Sequence, residues 1–184
     1  MKFVTYPDDE MLAIGVANVL AGELENVLFH EERASLAVPG GTTPGPIFDA
    51  LCAASLEWSR VDVMLTDERW RPEVHVRSNA RLLRERLLQG RAGEAVFHPF
   101  YTGADTPDET LADVESTLYP CLPLSVVLLG MGTDMHTASL FPGAEGLEAG
   151  LSDTTTALLV PITAAGEPEP RVSLTANVIN GAMK

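Results

Sequence analysis

Apolar residues recur at helical spacing near the beginning of the chain. Between Asp8 and about His30 they stand three or four positions apart, which predicts an amphipathic helix. Asp8 has the residue type of an N-cap, and the acidic residues after it suit the positive end of the helix dipole.

Short apolar runs later in the chain predict strands, and helical patterns stand between several of them. The predicted strands cover residues 34–38, 61–66, 95–100, 126–129, 156–162 and 171–175. Helical spacing follows Pro44 and recurs over 78–88, over 107–119 and from residue 176, whereas 146–153 is predicted as a loop. The alternation predicts an α/β fold with a doubly wound, mainly parallel sheet and helices on both faces, in one domain over residues 1–184.

Composition narrows the possible functions. The chain has 184 residues, enough for one sizeable core and too few for two comfortable domains. A formal net charge of −14 argues against nucleic acid or an anionic membrane as a partner, since both attract basic patches. No segment approaches the about 20 apolar residues of a membrane span. With no readable signal peptide, a cytoplasmic, metabolic protein is expected.

The first predicted strand ends in a glycine-rich turn. Gly40, Gly41, Thr42 and Thr43 stand between two prolines, and a helical pattern follows. This order places backbone N–H groups and hydroxyls around a pocket, as in anion-binding sites. A simple chain reversal explains the same turn equally well when it is taken alone.

Charged residues follow the next predicted strand. Asp67, Glu68 and Arg69 precede Trp70, and burying such charges is costly unless they pair or face a cleft. A solvated charge run is the ordinary interpretation of such a triplet. The neighbouring Trp70 and Pro72 favour a packed position instead.

Residues 125–143 combine the pattern of a buried strand with polar side chains at its end. Gly130 and Gly132 follow the apolar run, and Asp134 and His136 come next. The carboxyl ends of parallel strands are where open α/β sheets bind ligands. A turn with one surface histidine is the plainer interpretation, but the polar residues crowded around His136 favour a site.

Four polar clusters therefore fall at strand ends, which a doubly wound sheet can bring to one crevice. The clusters are residues 40–43, 67–69 and 134–139 together with Arg171. They predict an anion cradle beside a carboxylate-oriented histidine that moves a proton near neutral pH. Cys52 and Cys121 lie far apart and no metal-ligand spacing occurs. Water is thus the expected nucleophile, with no metal and no cofactor.

The chain resembles the 6-phosphogluconolactonase family, whose relatives are the glucosamine-6-phosphate isomerase/deaminases. The matching stretches follow the family's order along the whole chain, at 36–44, 67–70, 78–79, 128–143 and 170–175. The resemblance implies a Rossmann-like fold of the NagB/RpiA type. It also implies hydrolysis of 6-phospho-D-glucono-1,5-lactone to 6-phosphogluconate, in the pentose phosphate pathway and without an organic cofactor.

The resemblance also implies roles for individual residues. His136 corresponds to the catalytic base that activates water, and Asp134, Asp67 and Glu68 would orient that imidazole or the sugar hydroxyls. The residues that would hold the phosphate are Gly40, Gly41, Thr42, Thr43, Arg69 and Arg171. The expected partner is thus a sugar-phosphate lactone, with no nucleic acid and no membrane.

Two departures from the family's pattern carry consequences. The family reads Gly-Met-Gly-x-Asp-Gly-His, and here Met135 replaces the glycine before His136. If that position needs a positive φ, methionine introduces strain of about 1–3 kcal/mol. The chain is also shorter than the family's pattern, so a C-terminal strand and helix are expected to be lacking. The sheet edge exposed in that case would favour dimerisation, and both a monomer and a homodimer fit.

Two alternatives to the lactonase stay open at this point. An amino-sugar-6-phosphate isomerase/deaminase shares the anion cradle and the histidine. A diverged, non-catalytic sugar-phosphate-binding protein is the other, because Met135 and the shorter chain depart from the family's pattern.

Overall fold

The computed structural model of the protein describes residues 3–184, in which six α-helices and seven strands follow one another. The helices are α1 (Asp9–His30), α2 (Gly45–Leu51), α3 (Asn79–Arg86), α4 (Leu111–Leu118), α5 (Leu147–Leu151) and α6 (Ala176–Asn180). The strands are β1 (Ala34–Val38), β2 (Val61–Leu65), β3 (Asp67–Arg69), β4 (Val96–His98), β5 (Val126–Val127), β6 (Leu159–Ile162) and β7 (Arg171–Leu174).

A four-stranded parallel sheet forms the centre of the fold, in the order β4-β2-β1-β5. Every residue of β1 and β2 is buried, which is why these strands appear in the sequence as nearly continuous apolar runs. Val38 and Leu65 lie opposite each other at the carboxyl ends of these central strands. The predicted α/β fold with a parallel sheet is confirmed.

A second sheet, of three antiparallel strands in the order β3-β7-β6, was not predicted. It begins at Thr66, where the chain leaves the parallel sheet. The backbone N–H of Thr66 donates to Val38 O at 2.9 Å, and its carbonyl accepts from Leu174 N at 2.8 Å. The charged β3 has no apolar pattern of its own, because its position is set by pairing with β7 rather than by hydrophobic burial.

Helix α1 begins as predicted at Asp8, whose carboxylate accepts a hydrogen bond from Met11 N at 2.8 Å. Its buried face includes Leu20 and Leu24, which belong to the main core. By length and composition alone, α1 is apolar enough to cross a membrane, with a mean hydropathy of 1.4 over its most apolar window. A core helix passes the same test, and Glu23 and Glu25 interrupt α1, so it contains no run of about 20 apolar residues.

Other predicted boundaries shift. The loop predicted at 146–153 is wrong, because α5 occupies Leu147–Leu151. The glycines in this segment suggested a loop, but Gly150 serves helix packing instead. A Cβ on Gly150 would lie 2.7 Å from Leu140 and 3.0 Å from Val160, so only glycine lets the helix pack this closely. The predicted helix over 107–119 is divided into a 3-10 turn at Pro107–Glu109 and α4.

Glu68 fixes the junction between β3 and α3. Its carboxylate is fully buried and accepts hydrogen bonds from the backbone N–H groups of Arg69, Asn79 and Ala80 at 2.7–2.8 Å and from the Ser78 hydroxyl at 3.0 Å. Burial raises the pKa of this carboxyl, and the three backbone donors act in the opposite direction. Ser78 is also the N-cap of α3, as predicted.

We expect Glu68→Gln to destabilise the protein by about 2–4 kcal/mol. The amide NH₂ would face two of the four donors, so buried N–H or O–H groups lose their acceptor at about 1–3 kcal/mol each. Urea unfolding followed by circular dichroism measures the change. The control is Glu85→Gln on the same helix, where the lost ion pair with Arg81 is exposed and worth at most about 0.5 kcal/mol. Equal losses for both variants would contradict this role.

Candidate active site

A cleft of about 430 Å³ lies where β1, β2 and β5 end. Its walls are the glycine turn after β1, the polar end of β2 and the loop after β5. Of the predicted site residues, those that line it are Gly40, Gly41, Thr42, Thr43, Asp67, Arg69, His136 and Arg171. The structure thus brings together residues from all four predicted clusters.

The glycine turn approaches Asn79 too closely for any side chain. A Cβ on Gly40 would lie 1.9 Å from Asn79 Oδ1, and Gly41 has φ 90°. Asn79 Nδ2 donates to Asp67 O at 2.8 Å, and its Oδ1 accepts from Arg69 Nη1 at 2.8 Å. Asn79 therefore links the turn to β3, a role that was not inferred for it from sequence.

Two arginines on neighbouring antiparallel strands line the cleft. Arg69 on β3 is the register partner of Arg171 on β7, a placement of like charges that destabilises a strand pair. Burial and then the charge of Arg171 lower the pKa of Arg69. The Nε–H groups of both arginines are buried and have no hydrogen-bond partner in the described part of the chain. Glu167 already pairs with Arg171, so the positive charge left for an anion in the cleft is mainly that of Arg69.

Asp67 holds part of this charge in place. Its Oδ2 accepts a hydrogen bond from Ser139 Oγ at 2.6 Å and lies 3.8 Å from Arg171 Nη1. Ser139 is fully buried, and its backbone N–H donates to Ser173 Oγ at 3.2 Å. The loop after β5 is thereby fastened to both strands of the arginine pair.

His136 is oriented by Asp134. Its Nδ1 lies 2.5 Å from Asp134 Oδ1, and this hydrogen bond is the main cause of a lowered pKa for the Asp134 carboxyl. A Cβ on Gly132 would lie 2.3 Å from the imidazole Cε1, so glycine is needed there for the histidine to sit as it does. With Nδ1 engaged, Nε2 is the nitrogen left for proton transfer.

Phe141 connects the histidine to the arginine pair, and sequence reasoning assigned it no role. Its ring centroid lies 4.2 Å from that of His136, and the Arg171 guanidinium carbon lies 5.0 Å from the Phe141 centroid. The only indication in the sequence is that Phe141 follows Ser139 by two residues. Its contacts with His136 and Arg171 depend on tertiary structure.

Met135, one residue before the histidine, adopts φ 68°, and Ala138 adopts φ 50°. Met135 is 78% exposed, so its side chain has little packing to offset the conformation. The sequence-based expectation is met: this position has the left-handed backbone that favours glycine, and methionine there costs about 1–2 kcal/mol.

Glu68 does not line the cleft, because all four of its hydrogen bonds hold the beginning of α3 and β3. Its predicted contact with the imidazole or the sugar hydroxyls is therefore not seen. Asp134 reaches the cleft only through His136.

Fold and site together define an α/β protein in which a cleft lined by two arginines also holds a histidine that is hydrogen-bonded to an aspartate. The family model described as glucosamine-6-phosphate isomerases/6-phosphogluconolactonase matches residues 7–184. The chain belongs to this family.

Relatives in the family are similar over most of their length. The 6-phosphogluconolactonase of Pseudomonas aeruginosa is 41% identical over 172 residues, covering 92% of this chain and 72% of that protein. The 6-phosphogluconolactonase of Rhizobium meliloti is 40% identical over 178 residues, covering 96% and 77%. The crystal structure of a 6-phosphogluconolactonase from Shewanella baltica superposes with a TM-score of 0.92 at 35% identity, covering 96% of this chain and 76% of that one.

We expect Met135→Gly to stabilise the protein by about 1 kcal/mol. Glycine relieves the positive φ but gains freedom in the unfolded chain, so the net effect is smaller than the strain itself. Urea unfolding measures the change. Met131→Gly is the matched control, since Met131 is 75% exposed in the same loop and is not at a positive φ. A gain in the control as large as in Met135→Gly would contradict the explanation by strain.

Proposed function

We propose that this protein hydrolyses 6-phospho-D-glucono-1,5-lactone to 6-phosphogluconate, as a cytoplasmic enzyme of the pentose phosphate pathway. The observation that carries the proposal is the juxtaposition, in one cleft, of a facing arginine pair and a histidine oriented by aspartate. Family membership and relatives named 6-phosphogluconolactonase support the same substrate.

The phosphate end of the substrate would lie against Arg69 and Arg171. A phosphate dianion there would compensate the repulsion between the two guanidinium groups through charge-assisted hydrogen bonds. The Thr42 and Thr43 hydroxyls and the backbone of Gly40 and Gly41 line the same cleft and would donate to the remaining phosphate oxygens.

The lactone end would lie at His136. Nε2 accepts a proton from a water molecule as its oxygen attacks the lactone carbonyl, and a tetrahedral intermediate forms. The bond between this carbon and the ring oxygen then breaks, and the imidazolium returns the proton to that oxygen. General acid–base help of this kind contributes about 10²–10⁴ in rate. Asp134 stabilises the imidazolium and keeps Nε2 oriented towards the attacking water and the ring oxygen.

Asp67 acts on the substrate's position rather than on the imidazole. It lines the cleft, accepts a hydrogen bond from Ser139 and lies close to Arg171. It therefore keeps the Arg171 guanidinium in the orientation that binds phosphate. Both of its oxygens already accept hydrogen bonds, so a sugar hydroxyl would be an additional donor to this carboxylate.

We expect His136→Ala to lower kcat/KM for the lactone by about 10²–10⁴. The assay couples 6-phosphogluconate formation to 6-phosphogluconate dehydrogenase and subtracts spontaneous hydrolysis. His30→Ala, at the exposed end of α1, is the matched control and should retain full activity. If the native protein and His136→Ala both run at the spontaneous rate, the protein is not a lactonase under these conditions and the proposal fails.

We expect Arg69→Met to raise KM for the lactone about 10–100-fold, because a hydrogen bond to a charged group contributes about 1.5–3 kcal/mol. The same variant should abolish the rise in melting temperature that 6-phosphogluconate gives the native protein. Arg84→Met is the control, since Arg84 is an exposed arginine paired with Glu73. An unchanged KM in Arg69→Met would remove this residue from the phosphate site.

A further inference from the structure

A second cluster of reactive side chains lies near the beginning of β2, away from the cleft at its end. It consists of Asp62 on β2, His98 at the end of β4 and Cys121 in the 3-10 turn Tyr119–Cys121. One ligand atom of each lies within 4.8 Å of the other two. Sequence reasoning predicted no metal site, because these positions are 36 and 23 residues apart.

The three side chains converge on one point. His98 Nε2 lies 2.9 Å from Asp62 Oδ1 and 3.6 Å from Cys121 Sγ. Asp62 and Cys121 both contact Nε2 of His98. In a catalytic triad the nucleophile and the carboxylate contact different ring nitrogens, so this cluster is not arranged as a triad. Burial also raises the pKa of the Cys121 thiol to about 11, which does not suit a nucleophile.

Two of the three separations are close to those of a tetrahedral zinc site, and the third, between the Asp62 carboxylate and Cys121 Sγ, is within 4.8 Å. Bonds of about 2.3 Å to sulfur and about 2.0–2.2 Å to nitrogen and oxygen separate neighbouring ligand atoms by about 3.3–3.6 Å. The nitrogen–sulfur distance in the cluster already has this length, and the nitrogen–oxygen distance needs only to widen slightly. Thiolate, imidazole and carboxylate are all ligands that zinc accepts.

The surroundings allow an ion to enter and to be held. Asp62 and Cys121 line a cavity of about 360 Å³, which Glu31 and Glu32 also line. A water from this cavity would fill the fourth position. Arg33 Nε donates to Asp62 Oδ2 at 2.7 Å, so it orients the carboxylate through the oxygen that faces away from His98. Its positive charge weakens the attraction for a cation, and the thiolate formed on binding offsets that charge.

We propose that Asp62, His98 and Cys121 bind one Zn²⁺, which ties β2, β4 and the turn before β5 together. Binding releases the Cys121 proton to solvent and forms bonds from Zn²⁺ to Sγ, Nε2 and Oδ1. The site lies apart from the proposed catalytic residues, and zinc there stabilises the sheet.

Cobalt titration of the full chain, previously dialysed against a chelator, tests the site. We expect one Co²⁺ per chain, with a thiolate-to-cobalt charge-transfer band that Zn²⁺ abolishes by displacement. Cobalt at His136 and Asp134 would give no such band, because that pair holds no sulfur. Cys121→Ser should lose the band and Cys52→Ser should keep it, and His98→Ala should weaken zinc binding at least about tenfold.

A measurement on the unmodified protein covers the case in which a variant fails to fold. X-ray absorption of the zinc-loaded native chain should show one sulfur and two or three nitrogen or oxygen ligands. Absence of the charge-transfer band in the native protein, its persistence in Cys121→Ser, or a zinc shell without sulfur would each overturn the proposal. The cluster would then be a hydrogen-bonded network only.

Discussion

The arrangement of the whole site depends on the passage of the chain through Thr66. This fully buried residue bonds to Val38 in the parallel sheet and to Leu174 in the antiparallel sheet, so it fixes where one sheet ends and the other begins. The next residues are therefore held at the end of β2 by the hydrogen bonds of Thr66 and by pairing with β7 on one side. Charged side chains can be buried there because the backbone that carries them is already in place.

Charges at this junction are held by two different means. Glu68 is surrounded by donors and serves the packing of α3, whereas Arg69 faces Arg171 and keeps an unsatisfied Nε–H. Both oxygens of Glu68 therefore accept hydrogen bonds, whereas Arg171 pairs with Glu167 and Arg69 has no carboxylate within ion-pair distance in the described part of the chain. Adjacent residues of one strand thus differ, because Glu68 supports the packing of α3 and Arg69 lines the cleft.

Local sequence patterns predicted the parallel strands and the helices other than α5 because burial on a regular backbone produces a regular spacing. The Asp8 cap, the buried β1 and β2 and the polar ends of the strands all follow from that rule. The antiparallel sheet, the link through Asn79 and the true position of Glu68 could not be predicted in this way. They depend on which residues meet after the chain has folded, and three charged residues in a row give no periodicity to interpret.

The strained backbone of Met135 affects how often the loop that carries His136 adopts the conformation seen in the structure. A strain of about 1–2 kcal/mol lowers the population of this loop conformation relative to competing conformations by a factor of about 5–30. For the reaction proposed at His136, the observed rate would be the intrinsic rate multiplied by the fraction of molecules whose loop has the catalytically competent conformation. A side chain that is exposed to solvent and does not line the cleft can therefore limit turnover.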